Sequence, residues 1–224
     1  MLGLVKPETN LKIYDFIEQN QDPKSESAAF ATDITGVHFV NDLHPGKDVV
    51  IVGTMGGTTH VYDHKAQKSV AKLSGHLIAP KVFIFDKTTR FLISGAEDTN
   101  VKIWDMRNMA RQSLTTLKSH QGSITCLVCD SRILISGAED GTLKIWDFQT
   151  YKLIKTLKVG TSEASYPLCV SLNDSLGFAV GLLNKTVKYY NIDLNQSNNP
   201  ANWSYEMVSQ TSIDTHRPRF IEFY

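Results

Sequence analysis

The chain has 224 residues, 42% apolar and 21% charged, enough for one large all-β domain or two small ones with a real core. That balance excludes a disordered chain, and 23 basic against 23 acidic side chains leave no basic surplus to draw it to nucleic acid. No apolar run approaches the roughly 18 residues of a membrane span, residues 1–7 lack a secretory apolar core, and Cys126, Cys129 and Cys169 are too few for a disulfide framework. A cytoplasmic protein without membrane insertion is expected, with the nucleus as the alternative.

In chain order, residues 2–5 and 11–14 read as short β runs, and residues 18–27 have linker-like composition. Residues 50–63 (VIVGTMGGTTHVYD), 91–105 (FLISGAEDTNVKIWD), 133–147 (ILISGAEDGTLKIWD) and 177–191 (GFAVGLLNKTVKYYN) are copies of one pattern, and residues 2–15 (LGLVKPETNLKIYD) are a weaker one. The aromatic positions Tyr62, Trp104 and Trp146 recur every 42 residues. Tyr14 lies 48 before Tyr62, and Tyr190 lies 44 past Trp146.

The best copy shows four β runs, at 124–129, 133–135, 143–146 and 153–157, with a turn dipeptide between the second and third. Alternation over residues 101–104 predicts a strand with one face in and one face out. Residues 195–202, rich in Asn and Ser, read as a loop between the last copy's third and fourth strands. Residues 217–224 fit a first strand. Four strands in roughly 42 residues is the signature of a β-propeller blade.

These residues resemble the WD-repeat family. Its pattern is Gly-His, an inner strand, a small-residue strand, an Asp-bearing turn and a strand ending in Trp-Asp. Gly75-His76, Ser94, Asp98 and Trp104-Asp105 match it, as do Ser119-His120, Ser136, Asp140 and Trp146-Asp147. The resemblance implies an all-β, WD40-type propeller of antiparallel four-stranded blades. Blades are expected at about 31–76, 77–120, 121–160 and 161–211, with 1–30 and 212–224 sharing one. About five blades would then form either a ring closed by the split blade or part of a seven-bladed ring.

The resemblance also implies two structural networks, His76–Ser94–Asp98–Trp104 and His120–Ser136–Asp140–Trp146. A buried indole N–H needs an acceptor and a buried carboxylate needs donors. Blades with Tyr14, Tyr62 or Tyr190 in place of Trp should rest more on apolar packing. Partners of this family engage the loops joining one blade to the next. The matching positions are Leu77, Ile78, Ala79 and Pro80, then Gln121 and Ser123, then Ser165 and Tyr166. Leu77-Ile78 is an apolar pair at a site usually polar.

Catalytic readings fare worse. The Ser-His-Asp sets look like a hydrolase triad, but they recur once per repeat with a Trp partner, and no phosphate loop, nucleophile elbow or zinc-protease motif is present. His60 and His64 lack a third ligand. Cys126 and Cys129 fall on opposite faces of one strand. The cations at 107–111 and 217–219 read as solvated faces. No catalytic residue, metal or cofactor is expected. The reading is a non-catalytic scaffold that binds proteins or peptides on the inter-blade loop face. A subunit of a vesicle coat or other large complex is the alternative, since residues 95–159 faintly resemble the coatomer β-prime subunit. A nucleic-acid-associated WD protein comes after that, with nucleic acid itself a disfavoured partner.

Overall fold

The computed structural model describes residues 12–13, 25–26, 32–44, 47–63, 65–66, 68–109, 111–160, 165–173, 177–193, 199 and 202–212. Lys12–Ile13 (β1) pairs antiparallel with Ser25–Glu26 (β2), so part of the linker-like stretch is a strand. The remaining segments of the expected shared blade, including residues 2–5 and 217–224, lie outside the described residues, as does His64. So does most of the 195–202 loop.

Four antiparallel sheets follow, each a meander in strand order. The first is Ile34–His44 (β3), Lys47–Thr54 (β4), Thr58–Asp63 (β5) and Lys68–Ser74 (β6). The second is Pro80–Asp86 (β7), Phe91–Ala96 (β8), Asn100–Asp105 (β9) and Thr115–Lys118 (β10). The third is Ile124–Cys129 (β11), Ile133–Ala138 (β12), Thr142–Asp147 (β13) and Leu153–Lys158 (β14). The fourth is Pro167–Asn173 (β15), Gly177–Leu182 (β16), Thr186–Asp193 (β17) and Ser204–Ser212 (β18). The strands are runs of Val, Ile, Leu and aromatics, which suit a pleated surface. Asx turns stop them. Asp86 and Asp130 accept backbone N–H groups between the first and second strands, and Asp63, Asp105 and Asp147 do so after the third.

The sheets stack through their first strands. Thr35 Oγ1 donates to the Pro80 carbonyl at 2.7 Å, and Thr125 Oγ1 donates to the Pro167 carbonyl at 2.6 Å. Every first strand carries a bulge at the same place: Ile34/Gly36, Pro80/Val82, Ile124/Cys126 and Pro167/Cys169. Gly53, Gly95 and Gly137 on the second strands leave the room this requires. A Cβ at Gly53 would stand 2.1 Å from the Pro80 carbonyl oxygen, and one at Gly95 2.4 Å from Ile124 Cγ2. One at Gly137 would stand 2.5 Å from Cys126 Sγ.

Three apolar clusters fill the spaces between successive sheets. Ile51, Val61 and Leu73 meet Phe83, Leu92 and Trp104. Ile93, Ile103 and Leu117 meet Ile124, Leu134 and Trp146. Ile135, Leu143 and Ile145 meet Phe178, Val180 and Tyr190. The middle strands of the second and third sheets are therefore buried on both faces, which corrects the expected one-in, one-out alternation: Val101, Lys102, Ile103 and Trp104 are all buried. Lys102 fits because its stem runs along the sheet and its Nζ donates to Thr116 Oγ1 at 2.8 Å. Lys144 repeats this toward Thr156 Oγ1 at 3.3 Å. No described helix is long and apolar enough to cross a membrane.

Candidate functional site: the loop face and its buried networks

In the second sheet, the turn between β8 and β9 places Asp98 under the chain that enters β7. Its carboxylate accepts from His76 Nδ1 at 2.9 and 3.1 Å, from the Leu77 N–H at 2.8 Å and from the Asn100 N–H at 3.1 Å. The other imidazole nitrogen, Nε2, lies 2.8 Å from Ser94 Oγ, and Trp104 Nε1–H donates to the same oxygen at 2.8 Å. One tautomer satisfies every atom: Nδ1–H donates to Asp98, Nε2 accepts the Ser94 hydroxyl, and the hydroxyl oxygen accepts the indole.

The third sheet repeats the arrangement. His120 Nδ1 is 2.9 Å from Asp140 and Nε2 is 2.8 Å from Ser136 Oγ. Trp146 Nε1–H donates to Ser136 Oγ at 2.9 Å, and the Gln121 and Thr142 N–H groups reach Asp140 at 2.9 and 3.0 Å. Burial pushes both carboxyls up. The imidazole and the backbone donors outweigh it and hold Asp98 and Asp140 below the ordinary carboxylate range.

Ser94 and Ser136 are fully buried and their hydroxyls are occupied. A substrate carbonyl has no approach to either oxygen, so these sets are geometrically unlike a hydrolase triad. Burial pushes the Cys126 and Cys129 thiols up to about 12, away from nucleophilic reactivity. Among the described residues, no group of three His, Cys, Asp or Glu could hold a metal ion.

The networks fix the loop face above them. The carboxylate that holds His76 also holds the Leu77 backbone, yet the Leu77 side chain is 82% exposed and Ile78 is 44% exposed. Gln121, at the matching position of the third sheet, is likewise tethered through its N–H and exposed. Ser123 and Tyr166 are half-buried. Their carbonyls accept from Glu139 N and Leu183 N, both at 2.9 Å. Ala79 does the same for Glu97 at 3.1 Å, so these residues tie each entering loop to its own sheet's turn.

Three positions depart from the expectation. Ala79 and Pro80 are buried, because Pro80 already belongs to β7 and its carbonyl is taken by Thr35. Ser165 is buried too, against Gly160. One residue was missed. Met55, 48% exposed, lies in the β4–β5 turn, where Gly57 packs against the His76–Leu77 backbone. The signal was in the repeat: Met55 stands where the next two copies have Glu97 and Glu139. Away from this face, a groove of about 590 Å³ runs between β6 and the loop after β9, lined by Lys72 and Arg111 among others.

Comparison with known proteins follows the same lines. A family model described as "WD domain, G-beta repeat" matches residues 67–105 and 111–147. Mitochondrial division protein 1 of Vanderwaltozyma polyspora is 30% identical over 111 residues, 43% of this chain and 16% of that protein. Pre-mRNA-processing factor 19 homolog 2 of Arabidopsis thaliana is 33% identical over 67 residues, 30% of this chain and 13% of that protein. The match thus spans under a fifth of either relative.

Among solved structures, a chain of a mitotic checkpoint complex superposes with a TM-score of 0.78 over 95% of this chain and 64% of its own, at 16% identity. The computationally designed Ika4 protein gives 0.62 at 27% identity, over 74% of this chain and 95% of its own. The fold is an all-β arrangement of WD40-type propeller blades. Two matched repeats at residues 67–105 and 111–147, two networks built on them and flanking sheets of the same architecture make the chain similar to WD-repeat proteins.

Proposed function

We propose that this chain is a non-catalytic scaffold that binds a partner protein or peptide on its loop face, with Leu77 and Ile78 as the apolar anchor. The observation that carries this reading is a Leu side chain 82% exposed on a backbone whose N–H is bonded to a buried carboxylate. An anchor already held in place loses little freedom on binding, which is where affinity is otherwise spent. Gln121 supplies an adaptable polar contact one sheet further on, Ser123 and Tyr166 present polar groups at their own loops, and Met55 extends the apolar side.

Two relatives with different printed roles, one in mitochondrial division and one in pre-mRNA processing, share the repeat with this chain. That supports a platform rather than any one pathway. The reading is placed in the cytoplasm, where three unbridged thiols would persist.

The test compares tagged wild-type chain with a Leu77→Asp/Ile78→Asp variant by quantitative affinity purification. A reproducible partner set that falls at least about tenfold in the variant, or about 1.4 kcal/mol of binding, supports the loop-face site. An unchanged set moves the site elsewhere. Chaperones alone in both samples would remove the reading.

A further inference from the structure

The outer strands of the four sheets differ in how they treat their free edge. An edge strand presents unpaired N–H and C=O groups, and proteins blunt such edges with short length or with lysine. β10 has four residues. β6 carries Lys68 and Lys72, and β14 carries Lys155 and Lys158. β18 has nine residues, reads SYEMVSQTS, and contains Glu206 as its one charge. Met207 and Val208 are 53% and 61% exposed, and residues 206–212 are all exposed. Among the described residues, β17 is its one partner in the sheet.

We infer that the free edge of β18 is a self-association surface, and that its occupant is β18 of a second copy of this chain, antiparallel about a two-fold axis at Val208. The sequence is self-complementary in that register. Glu206 faces Gln210, Tyr205 faces Thr211, Met207 faces Ser209 and Val208 faces itself, so no like charges meet. The same operation at the equivalent bulge residue of β6, Val70, sets Lys72 opposite Lys68, and at Ile154 of β14 it sets Lys155 diagonal to its own copy; like charges placed that way oppose pairing.

The bulge of β18 at Val208, opposite Tyr189 and Tyr190, divides the pairing into two short ladders that flank an apolar centre. A two-fold contact of this kind closes on itself and stops at two copies. The surface is separate from the loop face, and a partner bound at Leu77 leaves it free.

Sedimentation velocity on the whole chain from about 1 to 100 μM reads the outcome. The weight-average mass is expected to rise from 25.0 kDa toward twice that value. It should stay at the single-chain value in Met207→Lys/Val208→Lys, with an unchanged melting midpoint. Val208→Lys alone serves where the pair disturbs folding. Val70→Lys, at the equivalent bulge of β6, should associate as the wild type does. A wild-type mass that never rises, a rise that survives the lysines, or a mass that climbs beyond two copies would each overturn the inference.

Discussion

The second and third sheets carry a polar pair of middle-strand residues where the first and fourth carry an apolar one. Ser94 and Trp104, and Ser136 and Trp146, are diagonal neighbours on one face of the middle strands, where hydroxyl and indole N–H meet at 2.8 and 2.9 Å. In the first and fourth sheets the same positions hold Val52 with Tyr62 and Val180 with Tyr190. Val52 and Val180 are completely buried, and Tyr190 stacks on Phe178 at 4.9 Å and 8°. The exchange is concerted. A Val beside an indole would strand the N–H, and a Ser beside a Tyr ring would bury a hydroxyl with no donor aimed at it. Either mismatch costs about 1–3 kcal/mol. The repeat thus has two self-consistent versions, one polar and one apolar, that give the same strands and the same turns.

The comparison can be broken most forcefully at Asp98. Asp98→Ala removes one carboxylate but strands His76, the Leu77 N–H and the Asn100 N–H together. We expect a loss of about 3–5 kcal/mol, as for other broken buried pairs, read from denaturant unfolding. Asp140→Ala should cost less, because the Asp140 side chain is 14% exposed against 2% for Asp98. Equal, negligible losses would dissolve the distinction between the two kinds of sheet.

Next comes conversion of one version into the other. Ser94→Val alone should cost about 2–3 kcal/mol by stranding both the Trp104 indole and His76. Adding Trp104→Tyr, which recreates the first-sheet pair, should cost less than the sum of the single changes by about 1 kcal/mol. Strict additivity in that cycle would show that the two positions are independent.

Acid sharpens the same contrast. The carboxyls of Asp98 and Asp140 are held below the ordinary range in the fold, so their contribution is complete above about pH 4 and is lost as pH falls through the folded values. Melting midpoints should therefore drop below about pH 4. Asp98→Asn/Asp140→Asn should start lower at neutral pH and fall along a shallower slope. Parallel slopes would assign the acid sensitivity to other groups.

The smallest effect expected is a gain. Thr99, Gly57, Gly141 and Lys185 hold the same left-handed turn position, with φ of 67°, 79°, 78° and 66°. A β-branched residue is strained there, and glycine is not. Thr99→Gly should stabilise the chain by about 0.5 kcal/mol after the unfolded-state entropy of glycine is set against the relief. A loss would mean that Thr99 makes a compensating contact.

Much of this was legible beforehand. The spacing of 42 from Tyr62 to Trp104 to Trp146 gave the strand order of each sheet, and the His, Ser, Asp and Trp positions marked the members of both networks. What could not be read locally was set by neighbouring sheets. Val101–Trp104 alternates in polarity, but the face that carries Lys102 and Trp104 is covered by the preceding sheet, so alternation misjudged Lys102. Ala79 and Pro80 look like loop residues beside Leu77, and they are buried because Thr35 of the preceding sheet binds the Pro80 carbonyl. Met55 was overlooked because the copies were compared at the positions they share, and its meaning lies in a position they do not.

The glycines where the sheets stack have a geometric consequence. Gly53, Gly95 and Gly137 let each sheet pack closely on the first strand of the next, where an added Cβ would meet the Pro80 carbonyl, Ile124 and Pro167, while Trp104 and Trp146 fill the inter-sheet space further along. Each repeat is thus a wedge, thin where glycine sits and thick where tryptophan sits. The angle of that wedge determines how many repeats a full turn would take, so a protein of this kind would change its blade count through residues that touch no ligand at all.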